Sequence, residues 1–528
     1  VKREIRHLHM DIYYRPMLPI SAQADTDPLT LDQNAIIDRF ESIGFMDAQS
    51  AMRHVEALTN GISRSARINR ILLPAVLQWL GQGQNPDMGL LFWRNLEDNF
   101  KEESEYLGFL RDSPSAAQRL CHVLSNSRFL GDALNKSVES VTWLGHDELI
   151  QARSLESLQT QYNTLVDRSL SMSDFANLVR AMRRREIERI GLGWMNHVID
   201  DTQALQGMSD VTDVILQSTL HWCIRMWCEE HDTEFDNAPA HITIIGLGRY
   251  GGCEMNFSSD ADAMIVYRPN NASDDHAREF AKTVIDNVRT ILQGSISLET
   301  KIELDLDLRP EGKNGPLVRS YVSCESYYFS WASTWEYQAL LRARYVAGDE
   351  KLGEDFLNNI ANKLRYPEQP LTSVQISDIR KLKARMESER LPRGVRRERH
   401  IKLGKGGLSD VEWCVQLLQL QHAHEFESLR VQSTLPALRS LQEQDFISEK
   451  EAQILEDAWK LCTGARNGSY LWSGRVNQAD ILPDDAYNLG GIAVYVGYDA
   501  HQGFVFENDI MALMRQCRDV FDRVFYGC

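Results

Sequence analysis

The spacing of apolar residues divides the chain into two long helical stretches around a shorter stretch of mixed structure. Up to about residue 205, apolar side chains recur every three or four positions, as in Ile71, Leu72, Val76, Leu77 and Leu80. This period is that of an amphipathic helix. The same period returns after about residue 325 and predicts helices to the end of the chain.

The pattern between these two stretches predicts strands. Short apolar runs at 241–246 and 263–267 indicate two buried strands, and a helical stripe follows over 275–293. Residues 301–309 alternate strictly between apolar and charged side chains. The apolar side is Ile302, Leu304, Leu306 and Leu308, and the charged side is Glu303, Asp305, Asp307 and Arg309. Because side chains alternate across a strand, we expect a third, half-buried strand with a charged face.

Composition and charge exclude several classes of protein. The 528 residues include 57 Lys plus Arg and 75 Asp plus Glu, a net charge of −18, and 43% of the residues are hydrophobic. Such a chain can bury a large core, and its acidity argues against sequence-independent binding of nucleic acid. No apolar run has the length of a membrane span, and no signal peptide is recognisable. We therefore expect neither nucleic acid nor a membrane among the partners.

The cysteines indicate a reducing compartment. All nine are scattered, and none forms a C-x-x-C pair. We expect neither a structural zinc site nor a disulfide framework, but reduced thiols in a cytoplasmic protein. Because the chain begins at Val1 and not at Met, we also expect it to be part of a longer protein.

A glycine-rich loop follows the first predicted strand. Residues 246–251 match the G-x-G-x-x-G pattern of dinucleotide-binding units, which requires a long helix next and an acid about 20 residues later. Here only seven residues separate Gly252 from Asp260, so a dinucleotide-dependent oxidoreductase is the weaker interpretation. The stronger one is a cradle whose backbone N–H groups hold a phosphate tail. Its candidate residues are Gly248, Arg249, Gly251 and Gly252.

Two aspartates, Asp260 and Asp262, open the second predicted strand. Residues i and i+2 project from the same face of a strand, so both carboxylates can bind the same pair of Mg²⁺ ions. Two such ions clamp an in-line displacement at phosphorus, and a neighbouring strand would supply a third carboxylate, either Asp305 or Asp307. A glycine loop, a short helix and an Asp-x-Asp strand resemble the polymerase-β-like nucleotidyltransferases. The alternative is a Ser/Asp-rich turn capped by Asp262, which does not predict a second strand of paired acids.

Four motifs in a fixed order give the chain a more specific resemblance. They are residues 246–262 (GLGRYGGCEMNFSSDAD), 308–319 (LRPEGKNGPLVR), 335–349 (WEYQALLRARYVAGD) and 402–413 (KLGKGGLSDVEW). Together they resemble the glutamine synthetase adenylyltransferases, and the LRPEG sequence of the second motif is similar to that of high-GC Gram-positive members. Full-length members carry two related halves: one transfers AMP to a tyrosine of glutamine synthetase, and the other removes it by phosphorolysis. The single SSDAD motif indicates one catalytic centre.

This resemblance implies a mainly helical α+β fold with a polymerase-β-like nucleotidyltransferase core and a small mixed sheet. The predicted parts are an N-terminal helical region at 1–205, the nucleotidyltransferase domain at 206–366 and a C-terminal helical bundle at 367–528. The chain resembles the C-terminal, adenylylating half, so the resemblance implies ATP as substrate, Mg²⁺ as cofactor and glutamine synthetase as partner. The family also responds to glutamine and to a PII-type signal protein, neither of which maps onto residues. Two alternatives stay open: the removing half, and a non-catalytic ATP-sensing docking module.

The resemblance also assigns roles to individual residues. Asp305 occupies the family's acidic position, which favours it over Asp307 as the third metal ligand beside Asp260 and Asp262 and as a possible base. Arg249 stands where many members carry Lys. The other candidate nucleotide-binding residues are Ser259, Arg309, Arg319, Lys402 and Asp410.

Two segments share the pattern Ser-x-x-Glu, which is typical of a capping box at the start of a helix. One is Ser409 to Glu412, before an apolar helix, and the other is Ser448 to Glu451. In the first segment the Gly406-Gly407 loop and Asp410 could instead face the nucleotide, and both interpretations can hold because a helix N-terminus favours phosphate.

Overall fold

The computed structural model describes residues 33–100, 105–166, 170–389, 391 and 394–527. Within these ranges the chain is mainly helical and has one small mixed sheet, so the predicted fold class is confirmed. Contacts divide the chain into two compact units: residues 1–152, 188–200 and 464–508, and residues 153–187, 201–463 and 509–528. The predicted boundaries after residues 205 and 366 both fall inside the second unit and stay predictions.

The helices carry the apolar stripes that the sequence predicts. In chain order they are α1 (Gln33–Ile43), α2 (Ala48–Thr59), α3 (Arg64–Leu80), α4 (Pro86–Asn99), α5 (Glu105–Asp112), α6 (Pro114–Asn126), α7 (Arg128–Leu134), α8 (Glu139–Trp143), α9 (Leu155–Val166), α10 (Met172–Met195), α11 (Asp201–Glu230), α12 (Gly248–Gly251), α13 (Asp274–Gln293), α14 (Tyr321–Ser330), α15 (Thr334–Leu340), α16 (Glu350–Phe356), α17 (Asn362–Arg365), α18 (Ser373–Glu389), α19 (Leu408–His422), α20 (Thr434–Glu443), α21 (Glu449–Ser473), α22 (Ala486–Ala493) and α23 (Gly503–Phe521). In α3, Leu72, Val76 and Leu80 are fully buried.

The sheet lies in the second unit and has five strands. They are β1 (Ala240–Gly246), β2 (Ala261–Pro269), β3 (Leu304–Asp305), β4 (Val318–Ser320) and β5 (Arg344–Gly348), in the order β3-β2-β1-β5, with β4 also paired to β2. Strand β1 is antiparallel to both β2 and β5, whereas β3 and β4 run parallel to β2. The antiparallel pairing of β1 with β2 excludes the dinucleotide-binding interpretation, because that unit needs parallel strands joined through a helix.

Helix α13 confirms the stripe predicted over 275–293. Ser273 caps its start by accepting a hydrogen bond from the His276 N–H at 3.3 Å. Its apolar face, which includes Phe280, Val284 and Val288, is fully buried and packs against α11 and the sheet. The residues that follow α13 lead into β3, so this packing helps to set where β3 meets β2.

Two expectations about strands were wrong in extent. The strand predicted over 301–309 shrinks to β3, although Ile302, Leu304 and Leu306 are buried as the alternation requires. The Asp307 N–H donates to Oδ1 of Asp305 at 2.7 Å. A longer strand would need that N–H group for a bond to the neighbouring strand, so the chain leaves the sheet after Asp305. Strand β5 also interrupts the stretch after residue 325 that was expected to be helical throughout, since five residues are too few to change a helical pattern.

Two findings concern the chain as a whole. No helix among the described residues is long and apolar enough to cross a membrane. The eight described cysteines are free thiols, and seven of them are buried.

Candidate active site

The register of two strands brings two of the predicted metal ligands together. Strands β2 and β3 run parallel with Asp262 directly opposite Asp305, and neighbouring strands lie about 4.8 Å apart. Asp260 is exposed and lies one residue before β2. No cluster of three His, Cys, Asp or Glu side chains converges in the described part of the chain. The structure therefore assembles an Asp262/Asp305 pair, and the role of Asp260 stays a prediction.

The Asp262/Asp305 pair suits a divalent cation. Burial, followed by the carboxylate of Asp305, raises the pKa of Asp262 to about 7; Lys402 opposes this shift, while Asp260 and Glu412 add to it. A cation relieves the repulsion between like charges held so close together. Mg²⁺ is usually bound through one or two carboxylates together with substrate phosphates. Two carboxylates at an accessible strand end fit that mode of binding.

The glycine loop contacts the Asp262/Asp305 pair directly. Helix α12 begins right after β1, and Gly248 has a φ of +55°. A Cβ at Gly248 would lie only 2.2 Å from Oδ2 of Asp262. Glycine is therefore required here, both for the backbone conformation and for the close approach of the loop to the carboxylate.

The other two loop glycines contact a different group. A Cβ at Gly251 would lie 2.0 Å from the carbonyl oxygen of Arg342, and one at Gly252 would lie 2.8 Å from the Arg342 guanidinium. Of the three glycines predicted to hold phosphate, the structure brings Gly248 to the Asp262/Asp305 pair and packs Gly251 and Gly252 against Arg342. Their phosphate-binding role stays a prediction.

Arg249 is buried in a network of charges. Its Nε donates to the Glu254 carbonyl oxygen at 3.0 Å and its Nη1 donates to Oε1 of Glu412 at 2.6 Å. The guanidinium carbon lies 5.3 Å from the ring centre of Trp459. Only 8% of the residue is exposed, so contact with a nucleotide stays a prediction.

A second arginine, Arg342, extends this network. Its Nη1 donates to Oε2 of Glu254 at 2.6 Å, and its Nη2 lies 4.0 Å from Oε1 of Glu412. The hydroxyl of Thr434 donates to the same Glu254 oxygen at 2.9 Å. The sequence interpretation missed the pairing of Arg342 and Glu412, although both lie inside the motifs at 335–349 and 402–413. Their place in two of the four motifs was the only signal for it.

Lys402 acts electrostatically on two acids of the candidate site. Its charge lowers the pKa of Asp262 and also that of Glu412. Burial acts to raise the pKa of Glu412, but Arg342, Arg249 and Lys402 outweigh it and hold that pKa below its usual value. The predicted nucleotide-binding lysine thus acts on the charge of Asp262, and its contact with a nucleotide stays a prediction.

Ser259 shapes the turn that delivers Asp260. Its Oγ accepts the Asn256 N–H at 3.0 Å, and its own N–H donates to the Asn256 carbonyl oxygen at 3.1 Å. A contact between Ser259 and nucleotide stays a prediction.

The two arginines predicted as phosphate ligands have other partners. Arg309 wraps its own loop by donating to the carbonyl oxygens of Leu306, Lys313 and Gly315 at 2.7 to 3.1 Å. Arg319 lies opposite Val266, four residues along β2 from Asp262, or roughly 13 Å. It pairs with Glu311 and lines a cleft of about 580 Å³. The structure does not bring Arg319 to the Asp262/Asp305 pair.

Asp410 is fully buried in an ion-pair cluster. Its carboxylate lies 2.6 Å from Nζ of Lys383 and 3.0 Å from Nη1 of Arg518, and it accepts the Gly406 N–H at 2.7 Å. Gly406, with a φ of +74°, packs against the backbone of Met514. The contacts of Asp410 thus hold the 404–407 loop in place, and a contact of Asp410 with nucleotide stays a prediction.

A paired-carboxylate strand end, a glycine turn pressed against it and a nearby lysine, set in a small mixed sheet, define a fold of the nucleotidyltransferase type. Comparisons with known proteins agree. Residues 117–359 match the family model of glutamate-ammonia ligase adenylyltransferase, and residues 380–525 match that of GlnD PII-uridylyltransferase. Residues 117–359 thus carry a domain similar to the glutamate-ammonia ligase adenylyltransferase family.

Individual relatives give the extent of the match. Over its whole length the chain is 65% identical to a bifunctional glutamine synthetase adenylyltransferase/adenylyl-removing enzyme of Bifidobacterium longum, of which it covers 49%. Proteins of the same name from Leifsonia xyli and Streptomyces coelicolor are 40% and 38% identical over 100% and 99% of the chain, and the matches cover 52% and 53% of those proteins. The chain thus spans about half the length of the curated relatives it matches.

Proposed function

We propose that this chain transfers AMP from ATP to a tyrosine of glutamine synthetase and releases pyrophosphate, and so lowers the activity of the synthetase in nitrogen regulation. The observation that carries the proposal is the placement of Asp262 opposite Asp305 with Gly248 against the Asp262 carboxylate. The printed name of the relatives, an adenylyltransferase and adenylyl-removing enzyme of glutamine synthetase, supports the choice of substrate. The nine scattered cysteines support a cytoplasmic setting.

Asp262 and Asp305, with Asp260 at the exposed rim, are the residues that would hold Mg²⁺. When bound there, Mg²⁺ would neutralise charge on the triphosphate and on the phosphoryl group being transferred. Lys402 adds a fixed positive charge beside the same carboxylates. The backbone of the Gly248 turn approaches this point closely enough to contact a phosphate oxygen.

The bond changes define what the residues must do. A new bond forms between the tyrosine oxygen and the α-phosphorus of ATP, and the bond from that phosphorus to the bridging oxygen of the β-phosphate breaks. Pyrophosphate leaves with the electron pair. The tyrosine hydroxyl, whose ordinary pKa is about 10, must lose its proton, and Asp305 is the candidate acceptor. Its Oδ1 is oriented by the Asp307 N–H, which leaves the other oxygen for the proton.

The experiment that tests this function follows α-labelled ATP. The chain is mixed with unmodified glutamine synthetase and Mg²⁺, and label on a tyrosine of the synthetase is the expected result. The Asp262→Asn variant is the control, because it should transfer no label while keeping the fold. Transfer by that variant at the wild-type rate would rule out the assignment of the carboxylates.

A second candidate function is the removal of AMP by phosphorolysis on the same site. It is favoured by one observation: the relatives are named for both activities, and the chain spans about half their length. Release of ADP from adenylylated synthetase in the presence of phosphate, without labelling of the unmodified protein, would identify the removing activity. Binding of ATP with neither reaction would instead favour an ATP-sensing docking module.

The match of residues 380–525 to a PII-uridylyltransferase model supports a PII-type protein as an effector. We propose that such a protein, together with glutamine, regulates the transfer. The test is the labelling assay with and without each effector, and an unchanged rate would remove that effector from the proposal.

A further inference from the structure

Glu412 is a largely buried acid whose partners come from three separate motifs. Only 18% of its side chain is exposed. Its Oε1 accepts from Nη1 of Arg249 at 2.6 Å and lies 4.0 Å from Nη2 of Arg342. Lys402 is the third cation that stabilises its charge. The chain therefore concentrates three positive side chains around one carboxylate that no phosphate-binding or metal-binding role accounts for.

The Glu412 network lies next to the glycine turn that contacts Asp262. Arg249 directly follows Gly248, the residue pressed against Asp262. Lys402 and Glu412 both act on the charge of Asp262, with opposite signs. Through Arg249 and Arg342, Glu412 thus links the glycine turn to the segment just before β5.

Glu412 does not cap helix α19. Helix α19 has Gly407 at its N-cap position and no side-chain cap. The N–H groups of Leu408, Ser409 and Asp410 already donate to the carbonyl oxygens of Ile401, Lys402 and Gly407 at 2.9 to 3.0 Å. A capping carboxylate at Glu412 is therefore not needed, and the capping-box interpretation of this segment is wrong.

We propose that Glu412 is a positioning residue that holds Arg249 and Arg342 in fixed places beside the glycine turn that contacts Asp262, so that the triphosphate meets a turn already oriented for the transfer. This inference rests on the proposed function, because it names how that same site is organised. Glu412 itself is not expected to contact substrate, since its near oxygen is used by Arg249.

A charge-neutral substitution separates positioning from simple folding. Glu412→Gln keeps the size of the side chain but leaves Arg249 and Arg342 without their shared anion. Displacement of a positioning group by about 1 Å can cost about 10²-fold in rate, so we expect kcat to fall about 10- to 100-fold. KM for ATP should rise less than kcat falls. Glu412→Asp keeps the charge with a shorter reach and should recover part of kcat.

The matched control is Glu451→Gln. Glu451 occupies the same Ser-x-x-Glu pattern and also accepts from an arginine, Arg523, at 2.8 Å. It should leave kcat unchanged. Circular dichroism and thermal unfolding of all variants report the folded fraction, so that kcat refers to folded protein only. If folded Glu412→Gln keeps the wild-type kcat, or if Glu412→Asp is no better than Glu412→Gln, the positioning role is wrong.

A binding cycle tests the proposal independently of transfer. The affinity of the full chain for Mg²⁺ and α,β-methylene-ATP is measured by calorimetry for wild type, Glu412→Gln, Arg249→Gln and the double variant. If Glu412 acts through Arg249, the two losses are non-additive by at least about threefold. Additive losses would overturn the proposal, and so would a wild-type chain that does not bind the analogue. A wild-type chain that binds the analogue but labels no synthetase removes the proposed function and still lets the cycle decide the role of Glu412.

Discussion

The chain carries the pattern Ser-x-x-Glu at the start of two helices, and the two copies behave differently. At α21, Glu451 accepts from both the N–H and the hydroxyl of Ser448, at 3.1 and 2.6 Å, and the Glu451 N–H donates back to the Ser448 hydroxyl at 3.4 Å. This is the predicted capping box. At α19, Ser409 lies inside the helix, and Glu412 accepts a hydrogen bond from Arg249 instead of capping the helix. One glutamate satisfies its own helix, and the other joins the candidate active site.

The difference shows that a local motif decides structure only where the backbone still needs it. The first N–H groups of α19 are used by carbonyl oxygens of its own preceding loop. Its serine hydroxyl is used by Lys383, which donates to it at 3.3 Å. Glu412 then accepts from Arg249 and lies near Arg342, both from distant parts of the chain. At the start of α21, Glu451 keeps its hydrogen bonds with Ser448 while also accepting from Arg523, and there the short-range pattern prevails.

The largest effect is expected at Asp262, the carboxylate that the glycine turn contacts. Asp262→Asn should lower transfer by about 10³-fold or more, because the metal contribution to such a step is worth several kcal/mol. In metal-free protein the same variant should unfold at a higher temperature at pH 8. Burial raises the pKa of Asp262 to about 7, so its contribution to stability is present at low pH and lost as pH rises through about 7.

Thermal unfolding between pH 5 and pH 8 checks the stability part of that prediction. The control is Asp275→Asn, an exposed surface carboxylate with 86% of its side chain accessible. An Asp262→Asn protein that gains no stability over wild type as pH rises would contradict the raised pKa.

The second largest effect should come from the contact between the glycine turn and Asp262. Gly248→Ala introduces a Cβ 2.2 Å from the Asp262 carboxylate, so the carboxylate or the turn must move. We expect transfer to fall about 10²-fold. Gly497→Ala is a matched control, because Gly497 also has a positive φ, +92°, but open space around its would-be Cβ. Equal losses of transfer in the two variants would show that the contact with Asp262 is unimportant.

Removing each serine sharpens the comparison of the two motifs directly. Ser448→Ala deletes a helix cap and should lower the free energy of unfolding by about 1 kcal/mol. Ser409→Ala removes no cap and should cost less, since Lys383 keeps its 2.6 Å contact with Asp410. Urea denaturation of both variants measures the difference. A larger loss for Ser409→Ala would mean that the α19 start depends on its serine after all.

The smallest effect concerns the charge of Glu451. The hydrogen bond from Ser448, ahead of the ion pair with Arg523, holds the pKa of Glu451 below its usual value against the effect of burial. A lowered pKa contributes stability above the ordinary value, near 4.3, and this stability is lost as pH falls. Glu451→Gln should therefore cost about 0.5 kcal/mol at pH 7 and nothing near pH 3. Denaturant midpoints at both pH values check this, and a cost that persists at pH 3 would point to packing instead.

Much of the fold followed from patterns that act over a few residues. The apolar runs placed β1 and β2, and the stripe over 275–293 placed α13, because burial of one face is all that those elements need. The strand β5 was missed because it is short and is held mainly by its pairing with β1. The length of β3 was overestimated because the bond from the Asp307 N–H to Asp305 ends the ladder early.

For the site, the sequence by itself supplied the chemical groups: the Asp-x-Asp step, the acidic third strand and the glycines that allow close approach are all readable from residue type and spacing. Only the tertiary structure decided which of those groups meet. The strand register sets Asp262 opposite Asp305, Lys402 arrives from a loop about 140 residues later in the chain, and Arg319 and Asp410 are committed to other partners. The physical reason is that a charged side chain pairs with opposite charges that the packing of distant segments brings next to it. The local sequence around that side chain does not show which segments those are.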